Sequence, residues 1–168
     1  TELFFTRKLA GRVGVRWENS EMIQQQNIAP RVSLAYKTGK YSQVSTAYGL
    51  FYQTPQRDDL MQAQLNQTAS NLQFEQAAHY LVNYQWMIPG KRTFRVEAYY
   101  KQYDNLVKNF TTQTTPELNN QGYGFARGIE LFWRDKSTLK NVDYWISYSF
   151  LDTQRDFQNF PTLATPGF

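Results

Sequence analysis

Along most of this chain, apolar and polar side chains alternate at every second position, over segments too long for an ordinary globular sheet. A period of two marks a β-strand whose two faces meet different surroundings. Seven segments carry it: Ala10 to Glu18, Pro30 to Lys37, Tyr41 to Gln53, Phe74 to Met87, Thr93 to Val107, Tyr123 to Arg134 and Val142 to Leu151. In the third, for example, Val44, Thr46, Tyr48, Leu50 and Tyr52 stand opposite Gln43, Ser45, Ala47, Gly49 and Gln53. A tilted strand needs roughly 9–11 residues to cross a bilayer, whereas soluble strands average about 5–6. Most of the seven reach the longer figure.

Composition points the same way. The chain is polar overall, with a mean hydropathy of −0.64, yet it carries 12 Tyr, 12 Phe and 4 Trp in 168 residues. A transmembrane barrel needs this mixture: polar residues toward its lumen, apolar ones toward lipid, and aromatic girdles at both interfaces. No stretch approaches the ~18 consecutive apolar residues of a spanning helix. With no Cys, a disulfide framework and Cys-ligated metals are excluded. The net charge of +4 is scattered, with adjacent basic residues only at Arg7-Lys8 and Lys91-Arg92, so no nucleic-acid footprint is present. No basic and then apolar export signal stands at Thr1, as expected of a mature envelope chain.

The connections alternate in length. Thr38-Gly39-Lys40 and Pro89-Gly90-Lys91 read as tight turns in which Gly supplies a positive φ, and Asp135 to Asn141 as a slightly longer one. Between them, Asn19 to Ala29, Thr54 to Leu72 and Phe110 to Gln121 read as long polar loops. Outer-membrane barrels have short periplasmic turns and longer extracellular loops. On that assignment Trp86 and Trp133 belong to the periplasmic aromatic girdle, and Trp17 and Tyr52 to the outer one. Most charges fall on the polar face, but Arg127 and Asp104 break the parity. They should lie above the outer boundary or follow a bulge. An odd strand count and two open sheet edges imply a barrel completed by further strands, and the residues before Phe168 read as a loop.

Several runs together resemble the mid-to-late barrel of TonB-dependent outer-membrane receptors. They are Pro30 to Lys37, Ala47 to Pro55, Glu75 with Ala77 and His79, Glu97 to Leu106, Gly128-Ile129-Glu130 and Tyr144 to Phe150. The resemblance spans nearly the whole chain. It implies an all-β, antiparallel transmembrane barrel segment, about seven strands of a 22-stranded barrel, with residues 1–168 as a partial barrel domain. The plug domain and the closing strands lie outside this sequence. It also implies residence in the cell outer membrane and active uptake of a scarce nutrient such as a ferric siderophore, vitamin, peptide or glycan. The implied partners are membrane lipid, the plug, the remaining strands and, through the plug, the TonB complex; a surface lipoprotein is a further candidate. No cofactor and no covalent chemistry are implied.

Other readings of the residues are weaker. His79 is the only histidine, so a hydrolase triad would have to use it. One His and one carboxylate, Glu75, fall short of the three or four ligands of a zinc site. Glu75 and His79 share the luminal face and suit a polar network. The glycine pairs form no phosphate loop, and the Asn66-Gln67-Thr68 and Asn109-Phe110-Thr111 sequons are common by chance. Ligand contacts are expected in the loops and lumen, at Gln56, Gln62, Asn66, Glu75, His79, Asn119 and Asn120. Two rivals remain: an outer-membrane hydrolase, and a soluble antiparallel β-domain that binds a ligand. The second would turn Val44, Tyr48, Tyr80 and Tyr84 into a core.

Overall fold

A computed structural model describes residues 1–65, 72–112, 115–156 and 163–165. The described residues form a single antiparallel sheet of eight strands in sequence order: β1 (Glu2–Phe4), β2 (Leu9–Ser20), β3 (Gln25–Lys37), β4 (Ser42–Gln53), β5 (Glu75–Ile88), β6 (Arg92–Thr112), β7 (Thr115–Asp135) and β8 (Tyr144–Arg155). Among the described residues one helix, α1 (Arg57–Leu65), lies between β4 and β5. The seven expected strands are present, and the short β1 is an eighth, pairing Glu2–Phe4 with Ala10–Arg12. Three residues are too few for a period to declare itself.

The strands run further than the hydrophobic alternation. Between β2 and β3 only Glu21–Gln24 lie outside the ladder, and Gln24 takes a φ of 52° to close the hairpin. The expected loop from Phe110 to Gln121 is instead a continuation of β6 and β7, whose last pair among the described residues is Thr112 with Thr115. The expected loop from Thr54 to Leu72 contains α1, opened by Asp58 and Asp59 at the positive end of its dipole. Backbone pairing needs no contrast between faces, so a strand continuing among polar residues leaves no period to read. Of the two turn glycines, only Gly90 has a positive φ, 71°; the expectation for Gly39 does not hold. There the turn closes through Thr38 N–H and Oγ1–H donating to Ser42 O and Oγ.

The two faces of the sheet differ. One carries Val13, Val15, Val32, Val82, Ile129, Ile146, Tyr148 and Phe150, all exposed, with no second layer over them among the described residues. Val44 and Tyr80 are exposed on the same face, so the described residues contain no sandwich core. Hydrogen-bonded rows cross this face from strand to strand. The row Gly11, Leu34, Thr46, Val82, Ala98, Ile129, Phe150 is free of charge throughout. The next row toward the α1 end runs Val13, Val32, Tyr48, Tyr80, Tyr100, Arg127, Asp152. It begins aliphatic, passes through three phenols and ends in an ion pair of 2.8 Å. Tyr48 and Tyr80 pack at 5.0 Å between centroids.

The buried apolar cluster sits at one end of the sheet. Leu60 and Ala63 of α1, with Leu72 and Phe74, close over Ile23, Val107 and Leu118. This cluster holds α1 against the projecting ends of β6 and β7.

Candidate functional site

The polar face and the α1 end of the sheet hold the candidate ligand residues. On the polar face, Arg31 lies over the Phe51 ring at 4.4 Å, and Phe51 stacks on His79, also at 4.4 Å. Gly49 sits between them in the register, paired with Arg31 on β3 and His79 on β5. A Cβ on Gly49 would come within 3.2 Å of both the Arg31 stem and the Phe51 ring, so a side chain there would crowd that stack. His79 is also paired with Lys101 on β6. A recess of about 410 Å³ opens here, bordered by Arg12, Gly14, Arg31, Gly49, Phe51 and His79 among others.

Glu75, four residues from His79, does something separate. Its Oε1 accepts the Val107 N–H at 3.0 Å. The β6–β7 ladder shifts register between Tyr103 and Leu106 and again before Lys108, and Asn105 adopts a φ of 56° there. Glu75 thus satisfies an amide that the bulge frees from the ladder. Asn120 is the complementary brace: its amide donates to Asn105 O at 2.7 Å and Gln73 O at 3.0 Å, while its carbonyl accepts Gln73 N–H at 2.8 Å. Asn119 accepts Gln121 N–H at 3.0 Å. Gln56 accepts the Leu60 N–H through its backbone carbonyl, at the start of α1, and Gln62 is half-buried on the helix. Asn66 lies outside the described residues. The candidates therefore divide into His79 in the recess, Gln56 and Gln62 at α1, and a bracing set of Glu75, Asn119 and Asn120.

Trp86 and Trp133 stack at 6.3 Å with 14° between their planes, and Phe94 packs on Trp133 at 6.3 Å. Trp17 is exposed at the opposite end of β2, whereas Tyr52 meets Phe74 edge-on and belongs to the rim cluster. Asp104 immediately precedes the bulge residue Asn105, while β7 and β8 pair without interruption around Arg127. Residue types alone did not single out the partnered groups. Asp135 is buried at the β7–β8 turn, accepting Ser137 N–H at 2.7 Å, Thr138 N–H at 2.9 Å and Arg92 Nε–H at 3.0 Å. Lys108 and Asp156 form a largely buried ion pair of 2.8 Å. An Asp with Ser and Thr two and three positions on hints at the first; nothing local announces the second, whose partners are 48 residues apart. Among the described residues no three His, Asp or Glu side chains gather to hold a metal ion.

The family model described as TonB dependent receptor-like, beta-barrel, matches residues 2–167. The chain belongs to that family. No curated protein sequence matches this receptor segment. Its fold resembles that of the outer membrane transporter YddB from Escherichia coli, with a TM-score of 0.73 and 16% identity over 89% of this chain and 23% of that one. It also resembles the FrpB iron transporter from Neisseria meningitidis (F3-3 variant), with a TM-score of 0.68 and 12% identity over 89% of this chain and 24% of that one. The receptor segment thus spans about a quarter of the length of these structures.

Proposed function

We propose that this chain is a wall segment of an active-transport receptor in the outer membrane, taking up a scarce nutrient such as a ferric siderophore, vitamin, peptide or glycan. A plug domain fills the barrel, and the TonB complex acts on it to admit the nutrient. The wall binds and encloses; it makes and breaks no covalent bonds.

The observation that carries this reading is the row from Val13 to Asp152. Strands of membrane barrels tilt by about 35–45°, so a row running perpendicular to them climbs. At an inter-strand spacing of about 4.8 Å the climb is roughly 3 Å per strand. Six steps lift a row by roughly 18 Å, which is most of the ~25 Å apolar band. Such a row should leave hydrocarbon, cross the interface and enter water, in the order of aliphatic, phenol and ion pair found here. Arg127 and Asp152 then stand above the outer boundary, where a charge costs little. The 21-residue β6 and β7 exceed what the bilayer requires, which suits walls that project outward.

Environment-sensitive labels on single cysteines test this in the intact receptor in liposomes. Labels at Val82→Cys and Ile129→Cys should be quenched by lipid-phase brominated chains, at Arg127→Cys weakly, and at Asn83→Cys and Glu130→Cys not at all. Equal quenching on both faces would remove the reading. Loss of nutrient accumulation on collapsing the proton gradient tests the energy source.

A further inference from the structure

Charge that is scattered along the chain is gathered by the fold. The four short turns, with the strand ends beside them, are residues 5–8, 37–41, 89–92 and 134–143, all at one end of the sheet. They hold nine of the 18 basic residues but only two of the 14 acidic ones, leaving nine cations to twelve carboxylates in the rest of the chain. Neither of the two carboxylates is free: Asp135 is buried and holds Arg92, and Asp143 is shared by Arg134 and Lys136. Among the described residues the other six cations, Arg7, Lys8, Lys37, Lys40, Lys91 and Lys140, are exposed and have no carboxylate within ion-pair distance. Backbone bonds set the turns side by side. Lys37 N–H donates to Lys8 O, Met87 N–H to Tyr41 O and Lys136 N–H to Lys91 O, each at 2.8 Å. Lys8 with Lys37, and Lys91 with Lys136, are thus neighbours at about one strand spacing, roughly 4.8 Å and well inside a Debye length of about 8 Å. Like charges placed so close repel unless an anion joins them. Apolar groups lie against the same edge: the Phe5 ring sits where a Gly11 side chain would point, Trp86 and Trp133 stack just inside the turns, and Leu139 is exposed between Lys136 and Lys140.

We propose that the turn end is a docking surface for anionic phospholipid, its cations holding the headgroup phosphates of the leaflet whose acyl chains meet Trp86 and Trp133. Depth favours lipid over a soluble polyanion. A strand tilted by about 35–45° gains roughly 2.5 Å of depth per residue. The turns therefore end roughly 5–8 Å beyond the two rings, within a headgroup layer that is itself about 5–8 Å deep. The wall is one sheet thick, so a lysine in a turn can lay its stem along the apolar side and carry its ammonium to a phosphate. The inference rests on the receptor reading for the apolar face meeting lipid.

The test uses the intact receptor in liposomes, labelled at Ile88→Cys, on the apolar face at the turn end, or at Ile28→Cys, at the other end of that face. Quenching by phosphatidylglycerol brominated on its upper acyl carbons is compared with quenching by phosphatidylcholine brominated likewise. At low salt the Ile88→Cys label should favour the anionic lipid about fivefold or more, the contribution of one lysine at a charged surface, and the Ile28→Cys label should show no preference. The preference should fall toward unity when Lys40→Gln, Lys91→Gln and Lys140→Gln are combined. It should fall likewise in about 0.5 M salt, a readout on the receptor with its lysines intact that no folding defect can mimic. Equal quenching by the two lipids at Ile88→Cys, an equal preference at both labels, or a preference that the triple variant leaves unchanged overturns the surface. Equal quenching together with variant-sensitive binding of polyglutamate also overturns it and assigns the cations to an acidic protein. If neither lipid quenches either label, the apolar face does not meet lipid, and the receptor reading falls and takes this surface with it.

Discussion

The two ends of the sheet are closed by different physics. At the turn end, each hairpin is held within a few residues: Gly90 supplies a left-handed residue, Thr38 bonds Ser42, and Asp135 gathers the amides of its own turn. At the other end the closure is non-local and apolar, with α1 and Leu72 packed on Val107 and Leu118 across the projecting hairpin. Local closure lets strands register early and cheaply. Non-local closure gives a rim that can open without unpairing the wall.

The comparison breaks first at Leu72, which has no exposed surface. Leu72→Ala should lower the opening free energy of α1 by about 2–5 kcal/mol. Hydrogen exchange should accelerate at 57–65 and stay unchanged at 88–91; a uniform loss would mean that the two ends are one cooperative unit. A smaller effect, about 1–2 kcal/mol, is expected for Gly90→Ala at the turn end, because an L side chain is strained at its φ. Gly39→Ala should cost less: φ is ordinary there, and the added Cβ meets only the rotatable Ser42 Oγ at 2.8 Å. Thermal melts of the two variants rank them, and equal losses would contradict the backbone geometry.

Asp135→Ala comes next. It should raise exchange of the Ser137 and Thr138 amides about tenfold, as expected for one lost net hydrogen bond each, with no change at α1.

How much of this was readable beforehand follows from the same division. The turn end is written locally, so the positions of its hairpins, and the placing of Trp86 and Trp133 near them, follow from sequence, whereas the stack between the two rings does not. Wherever the two faces meet lipid and lumen, the alternation of Val44, Tyr48, Tyr80 and Tyr84 is equally plain. The rim reads as loop because β6 and β7 continue there among polar residues, and the contrast between faces that reveals a strand vanishes. The bracing bonds of Glu75 and Asn120 are not legible in sequence, because a polar side chain facing a ligand and one bracing a bulge are the same letters. Only the register shift near Asn105 shows which amide Glu75 answers. The Arg31, Phe51 and His79 stack was hidden for another reason: its members are adjacent across strands and 20 or more positions apart along the chain.

The smallest and sharpest test is acid, since it should push the two ends in opposite directions. Asp143, between β7 and β8, is bonded by Arg134 at 2.6 Å and by Lys136 at 3.2 Å, and these hold its pKa down to about 2 although desolvation raises it. A carboxyl depressed on folding stabilises above its unfolded pKa, near 3.8, and that contribution disappears as pH falls through about 2. On α1, Asp59 goes the other way: desolvation raises its pKa, opposed by Arg155 and aided by Asp58. Its ionised form is disfavoured when the helix is docked, so its contribution is lost as pH rises through the folded pKa and recovered in acid. Between pH 5 and about pH 2.5, exchange at 136–143, corrected for intrinsic rates, should speed up while exchange at 57–65 slows. Both pairs are partly solvent-exposed and salt-screened, so the shifts should be slight and should shrink further in high salt. Movement of both ends in the same direction would show that the wall transmits charge effects end to end, against the independence that the packing implies.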